Sequence, residues 1–266
     1  MKGNQTELDQ LRIAANEKIS NVKSPSMKET VLTPNEELSL VRSYLFNLRE
    51  FCRKFQPPMG KSVIATAFIF MKRFYLHESC MEHHPRDIGV TCAYLACKID
   101  EFNVTIDQFI KNIQGDRKKA QKTILSNELM LMKKLNFQFI VHLPFRPVEG
   151  FLIDLRARYP PARDKTDLLL KEIEEFLEKS MYTDACFLFA PSQIALAAVY
   201  HAAQICDLNL KDYLKKMVFA DDQGAYEYFK RAYDCMQQMN ESDQQNIPTK
   251  EAIKKIEKKL QEVMTS

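Results

Sequence analysis

The tightest constraint on this chain lies at residues 84–101, His-Pro-Arg-Asp-Ile-Gly-Val-Thr-Cys-Ala-Tyr-Leu-Ala-Cys-Lys-Ile-Asp-Glu. Pro85 suits a first helical turn, where its missing N–H costs nothing. From there Ile88, Val90, Cys92, Ala93, Leu95, Ala96 and Ile99 leave no polar face. A helix that is apolar on every side is buried at the centre of its domain, so other helices must surround it. Gly89, Ala93, Ala96 and Cys97 are small enough to let those neighbours approach. Lys98 stands at the end of the element as a lone charge. Thirty residues on, Glu128 interrupts the apolar run Ile-Leu-Ser-Asn-Glu-Leu-Met-Leu-Met at 124–132. A lysine and a glutamate on two helices of one core are candidates for an ion pair, or for holding something between them.

The central helix is written twice. Residues 191–209, Pro-Ser-Gln-Ile-Ala-Leu-Ala-Ala-Val-Tyr-His-Ala-Ala-Gln-Ile-Cys-Asp-Leu-Asn, repeat it at an offset of 106 (191 − 85). Pro85, Ile88, Tyr94, Ala96, Ile99 and Asn103 fall on Pro191, Ile194, Tyr200, Ala202, Ile205 and Asn209. Lys98 falls on Gln204, and Glu128 on Asp234. Units of this length can each hold a small core, which argues for a duplicated domain rather than a solenoid. Six glycines, no tryptophan and long periodic stretches in 266 residues favour an all-α fold.

The breaks divide the chain. Leu8, Leu11, Ala15 and Ile19 share one face of an N-terminal helix, which Ser24-Pro25-Ser26 ends. Thr33-Pro34-Asn35-Glu36 is a helix start with a capping box, opening a helix to about Phe55. Helices follow at 61–77, at the central stretch, after the N-cap Thr105, and from Arg117 to Asn136. Phe137 to Pro147 reads as an extended linker, because proline is excluded from helix interiors. The second copy is expected at 148–158, 165–181, 191–206, 209–218 and 224–239. Ile247-Pro248 is the last break, before an amphipathic helix carrying Ala252, Ile253, Ile256, Leu260 and Val263. The expected organisation is 1–33 as N-terminal helix and linker, 34–140 as first repeat, 144–240 as second, and 247–266 as C-terminal helix.

Several function classes are excluded at this level. A net charge of +3 is too small to announce nucleic acid or an anionic membrane as partner. No signal peptide is visible, and no run approaches the roughly 20 apolar residues of a membrane span. Seven cysteines with no C-x-x-C point to a reduced compartment, cytosol or nucleus, with Cys92, Cys97 and Cys206 as small hydrophobes. His83-His84 lacks a third ligand at sensible spacing, so no metal is expected. Arg117-Lys118-Lys119 with Lys122, and Lys254-Lys255 with Lys258-Lys259, lack interleaved aromatics and read as solvated faces. No phosphate-binding glycine loop exists, and no catalytic residues or cofactors are expected.

At this point the residues carry a resemblance. Met-Lys-Arg-Phe-Tyr (71–75), Cys-Lys-Ile-Asp-Glu-Phe-Asn-Val (97–104), Leu-Asn-Phe-Gln-Phe-Ile-Val-His (135–142) and Pro-Phe-Arg-Pro-Val-Glu-Gly-Phe-Leu-Ile-Asp-Leu (144–155) resemble the cyclin family. Lys98 spaced from Glu128 as it is here belongs to the same likeness, which covers nearly the whole chain. The resemblance implies tandem five-helix cyclin boxes with additional N- and C-terminal helices, and a nuclear, non-enzymatic regulatory subunit. Its implied partner is a cyclin-dependent kinase, the catalytic subunit of the CDK-activating kinase, together with a ring-finger assembly subunit and the transcription factor IIH complex. Neither direct nucleic-acid nor membrane binding is implied. In that family Lys98 and Glu128 would hold the kinase's mobile C-helix, with Ile99, Met132, Phe137 and Phe139 as apolar anchors. The first-repeat helix Glu-Glu-Leu-Ser-Leu-Val-Arg-Ser-Tyr-Leu (36–45) lacks the Met, Leu and Trp pattern with which cell-cycle cyclins recruit substrates, so no such groove is expected. The segment before the first helix is short and no acidic tail follows the last, which sets aside any role of the family's tails. The alternatives are a cyclin C-like transcriptional cyclin, which changes the kinase but not the mechanism, and a IIB-type two-repeat DNA-binding factor. The second is disfavoured by the small charge and the absence of paired C-x-x-C motifs.

Overall fold

The computed structural model describes residues 4–21, 31–163, 165–245 and 249–265, with the side chains of 242–245 set aside. The chain order is α1 Gln5–Ser20, α2 Pro34–Lys54, α3 Lys61–Phe74, α4 Pro85–Ile99, α5 Ile106–Lys111 and α6 Arg117–Lys134. Then follow α7 Phe145–Arg158, α8 Thr166–Tyr182, α9 Ala185–Leu188, α10 Pro191–Ile205, a π-helical turn Tyr213–Val218, α11 Gln223–Gln245 and α12 Lys250–Thr265. Among the described residues there is no strand. They fall into two compact units, one of residues 4–141 with α12, the other of 142–245.

Each unit is built around its apolar helix. In the first, α4 is enclosed by α2, α3 and α6, and Ile88, Cys92, Ala93, Leu95, Ala96 and Cys97 are essentially inaccessible. In the second, α10 is enclosed by α7, α8 and α11, with Ile194 to Val199, Ala202 and Ala203 buried. The offset of 106 holds at both ends of the two helices. It also holds in how they stop. The Phe102 N–H reaches back to the Cys97 carbonyl over Glu101 at φ 55°, and the Leu208 N–H to the Ala203 carbonyl over Asp207 at φ 50°. That is the left-handed closure usually made by glycine, here made twice by an acidic residue. The duplication read in the sequence is therefore present down to its hydrogen bonds. Gly89 itself is not a close-approach site, since the nearest atoms a Cβ there would meet are those of Met71 at 3.4 and 3.8 Å and Leu48 at 4.0 Å, ordinary contact distances.

Three local expectations are corrected, and one short helix is new. The helix expected over 61–77 stops at Phe74, with Tyr75 bonding back to the Met71 carbonyl. Pro147 is not in a linker but is the third residue of α7, which starts at Phe145. Amides of a first turn have no partner within the helix, so a proline there loses no bond. The fourth helix of the second repeat is the six-residue π-helical turn rather than an α-helix over 209–218. The short α9 had no signal, being one turn of Ala-Cys-Phe-Leu. The breaks expected at Ser24-Pro25-Ser26 and Ile247-Pro248 lie outside the described residues.

Both terminal helices pack on α2. α12 buries Leu260 and Val263, Tyr44 donates to Glu257 at 2.9 Å, and Lys259 pairs with Glu36 at 3.0 Å. α1 buries Leu8 and Ala15, while Leu11, placed on the same face by spacing, stays 38% exposed. What fastens α1 is polar. Buried Asn16 donates to the Leu32 carbonyl at 2.7 Å and to Glu37 at 3.1 Å, and Glu37 also accepts from Ser79 and the Cys80 N–H. Burial pushes the Glu37 carboxyl above its ordinary range. Truncating one member of such a network strands the others without water. Asn16→Ala is expected to destabilise the protein by about 1–3 kcal/mol, read as a lower urea midpoint; an unchanged midpoint would mean that α1 docks by its apolar face alone.

Candidate kinase-binding site

The C-terminal turn of α4 and the middle of α6 meet on the surface of the first unit. Lys98 Nζ lies 2.6 Å from Glu128 Oε1, with the lysine side chain 45% and the glutamate 16% exposed. The two charges that the sequence set on separate helices are thus bonded to each other. The ammonium also sits over the Tyr94 ring, 4.6 Å from its centroid. It remains near enough to solvent to offer its other protons to a partner.

Apolar side chains flank the pair along the chain. Ile99 and Met132 are half-buried, and Phe137 is 56% exposed. Phe139 stacks edge-on against Phe137 at 6.1 Å and against fully buried Phe70 at 6.2 Å, so it is rooted in the core. The two phenylalanines therefore divide the work: Phe139 anchors the segment and Phe137 is presented. Asn136 and Phe137 lie at φ 51° and 55°. Such backbone is strained for a bulky residue and persists only where its surroundings enforce it. Here the Phe137 N–H is held by the Met132 carbonyl, and Arg73 donates to the Gln138 carbonyl at 3.0 Å.

Sequence reasoning missed Leu125 and Leu129, which are 49% and 56% exposed on α6 beside Glu128. Their signal was present. The opposite face of α6 already supplies Ile124 and Leu131 to the core, so a second apolar pair at i, i+4 spacing has no internal use. Ile140, in the segment after α6, is 78% exposed.

The equivalent place in the second unit is wired differently. Gln204 accepts from the Tyr233 hydroxyl at 2.7 Å and donates to Tyr200 at 3.3 Å, while Asp234 is exposed. The positive charge has not vanished from this place, as the loss of lysine at 204 suggested. Lys230 of α11 supplies it, donating to the Tyr200 hydroxyl at 2.8 Å and lying 4.5 Å from that ring's centroid.

The His84 Nδ1 accepts the Arg86 N–H and caps α4. Glu78, Glu82 and His83 bring ligand atoms within 4.8 Å of one another, but buried Glu78 is already paired with Lys134 at 2.7 Å. All seven cysteines are free thiols, and burial pushes Cys52 and Cys97 up to about 12, far from a reactive thiolate. No helix among the described residues is long and apolar enough to cross a membrane.

Comparison with known proteins places the chain in a family. Residues 13–140 match the family model described as cyclin, N-terminal domain, and residues 143–265 that described as cyclin C-terminal domain. The chain belongs to the cyclin family. Within it, the chain is similar to cyclin H: it is 46% identical over 215 residues to Cyclin-H of Xenopus laevis, covering 79% of this chain and 64% of that one. It is 34% identical over 207 residues to Cyclin-H1-1 of Arabidopsis thaliana, covering 76% and 60%. The chain spans less than two thirds of the length of these relatives. A chain of the CAK complex from Chaetomium thermophilum bound to ATP-gamma-S superposes with a TM-score of 0.84 at 25% identity, covering 98% of this chain and 85% of that one.

Proposed function

We propose that this chain is the regulatory subunit of a CDK-activating kinase, which binds a cyclin-dependent kinase and holds its C-helix in the active position. The observation that carries this reading is the Lys98–Glu128 pair, with exposed Leu125, Leu129 and Phe137 near it in the chain, on a chain similar to cyclin H over 79% of its length. An ammonium caps the carbonyls at a helix end, and a carboxylate accepts backbone N–H groups, so the pair can grip a helix and the segment beside it. Ile99, Met132, Phe137 and Phe139, with Leu125 and Leu129, supply the apolar part, giving the usual design of a desolvated centre with a few fixed polar groups. Binding favours the kinase conformation in which the C-helix glutamate pairs with the ATP-site lysine. The chain itself shifts a population and performs no step of phosphoryl transfer. The same reading places it in the nucleus with transcription factor IIH and a ring-finger assembly subunit, as the sequence resemblance implies. A pull-down from nuclear extract tests it: a CDK-activating kinase catalytic subunit should co-purify, and recovery of a different kinase or of none would sink the assignment.

A further inference from the structure

We propose that Tyr94 is a positioning residue for the kinase contact, its ring face being the seat on which the Lys98 ammonium is held; this rests on the kinase-binding reading above. A lysine carries four rotatable bonds and pays in entropy to be fixed. Near the surface, a single carboxylate partner fixes it weakly. Here the ammonium has two restraints on different elements, the Glu128 carboxylate at 2.6 Å from α6 and the Tyr94 ring at 4.6 Å from α4 itself. Ring faces attract cations through their negative quadrupole, so the tyrosine restrains Lys98 without consuming one of its protons. Those protons stay available to carbonyls of the partner.

The ring is itself rigid. Tyr94 is 6% exposed and meets Phe109 edge-on at 5.2 Å. The duplication supplies an independent observation. Tyr200 stands at the offset of 106 from Tyr94, and it too holds an ammonium, 4.5 Å from its ring centroid and there also bonded to its hydroxyl at 2.8 Å. There the lysine comes from the other helix: Lys230 on α11 rather than residue 204 on α10. The lysine has moved while the ring under it has not, so the tyrosine position, rather than the lysine position, is what the two units share as a cation seat.

The test is a double-mutant cycle on the full chain, reading affinity for the purified cyclin-dependent kinase, with thermal melting beside it. Tyr94→Phe keeps the ring and should bind like the parent. Tyr94→Leu should bind about fivefold more weakly, and Tyr94→Met fills the space better should the leucine variant fail to fold. In a Lys98→Ala background the same change at 94 should cost nothing further, because the group being seated is gone. An equal loss in both backgrounds would reduce Tyr94 to core packing and overturn the proposal, as would parental binding by Tyr94→Leu. Should Lys98→Ala alone leave binding intact, the kinase-contact reading would fall first, and this inference with it.

Discussion

Lys98→Ala and Glu128→Ala are each expected to cut activation of the partner kinase tenfold or more while the protein stays folded. Hydrogen bonds to charged groups contribute about 1.5–3 kcal/mol each, which sets that scale. The fold should tolerate the loss, because a pair this close to solvent adds only about 0–1 kcal/mol to stability. Its place at the tip of α4 also keeps it clear of the buried stretch from Ile88 to Cys97. The controls come from the second unit. Gln204→Ala and Asp234→Ala, at the equivalent positions, should activate nearly as well as the parent, since Gln204 bonds to Tyr233 and Tyr200, and Asp234 is exposed. Kinase activity with purified partner, alongside circular dichroism, decides the matter. Equal losses from both pairs, or a loss from the second alone, would move the kinase contact off the first repeat.

What the sequence made legible is what short-range chemistry dictates. Pro85 and Pro191 open the central helices, the unbroken apolar runs bury them, and Thr33 with Glu36 caps α2 as its spacing requires. Two stray charges in one core made Lys98 and Glu128 candidates for a pair or for holding something between them, and the structure pairs them. The parts that stayed hidden depend on partners far along the chain. Nothing near Asn16 says that it will meet Leu32 and Glu37, so the N-terminal helix showed in sequence only its apolar face of Leu8, Leu11, Ala15 and Ile19. The helix stops at Glu101 and Asp207 carry no glycine to announce left-handed backbone. Lys230 escaped notice because the repeat was compared position by position. The charge had crossed to the facing helix, where Ile124 is the counterpart of residue 230 in the first unit.

The second large effect is expected at a residue that touches no partner. Phe109→Ala should cost about 3–5 kcal/mol, the range for emptying a buried phenylalanine site. Phe109 is fully buried and meets Phe51 at 5.8 Å, Phe55 at 5.2 Å and Tyr94 at 5.2 Å. It also sits on α5, whose six residues are too few to hold helical structure in water by themselves. The aromatic contact is thus one of the ties that hold α5 on the unit, beside buried Ile110 and the hydrogen bonds between Asn112 and the Gln56 backbone, and its loss loosens a helix as well as removing a side chain. Marginal stability of about 5–15 kcal/mol leaves little to spare. The second repeat gives no equivalent target at the offset of 106, since position 215 is a lysine; the buried aromatic of that turn is Tyr213, bonded to Asp154 at 2.7 Å. Urea unfolding of Phe109→Ala and Phe109→Leu should therefore be graded, with leucine losing clearly less. A loss below about 1 kcal/mol for alanine would mean that the cluster collapses to fill the gap. Because Phe109 also braces the Tyr94 ring, the leucine variant should bind kinase more weakly than its modest loss of stability alone would bring about.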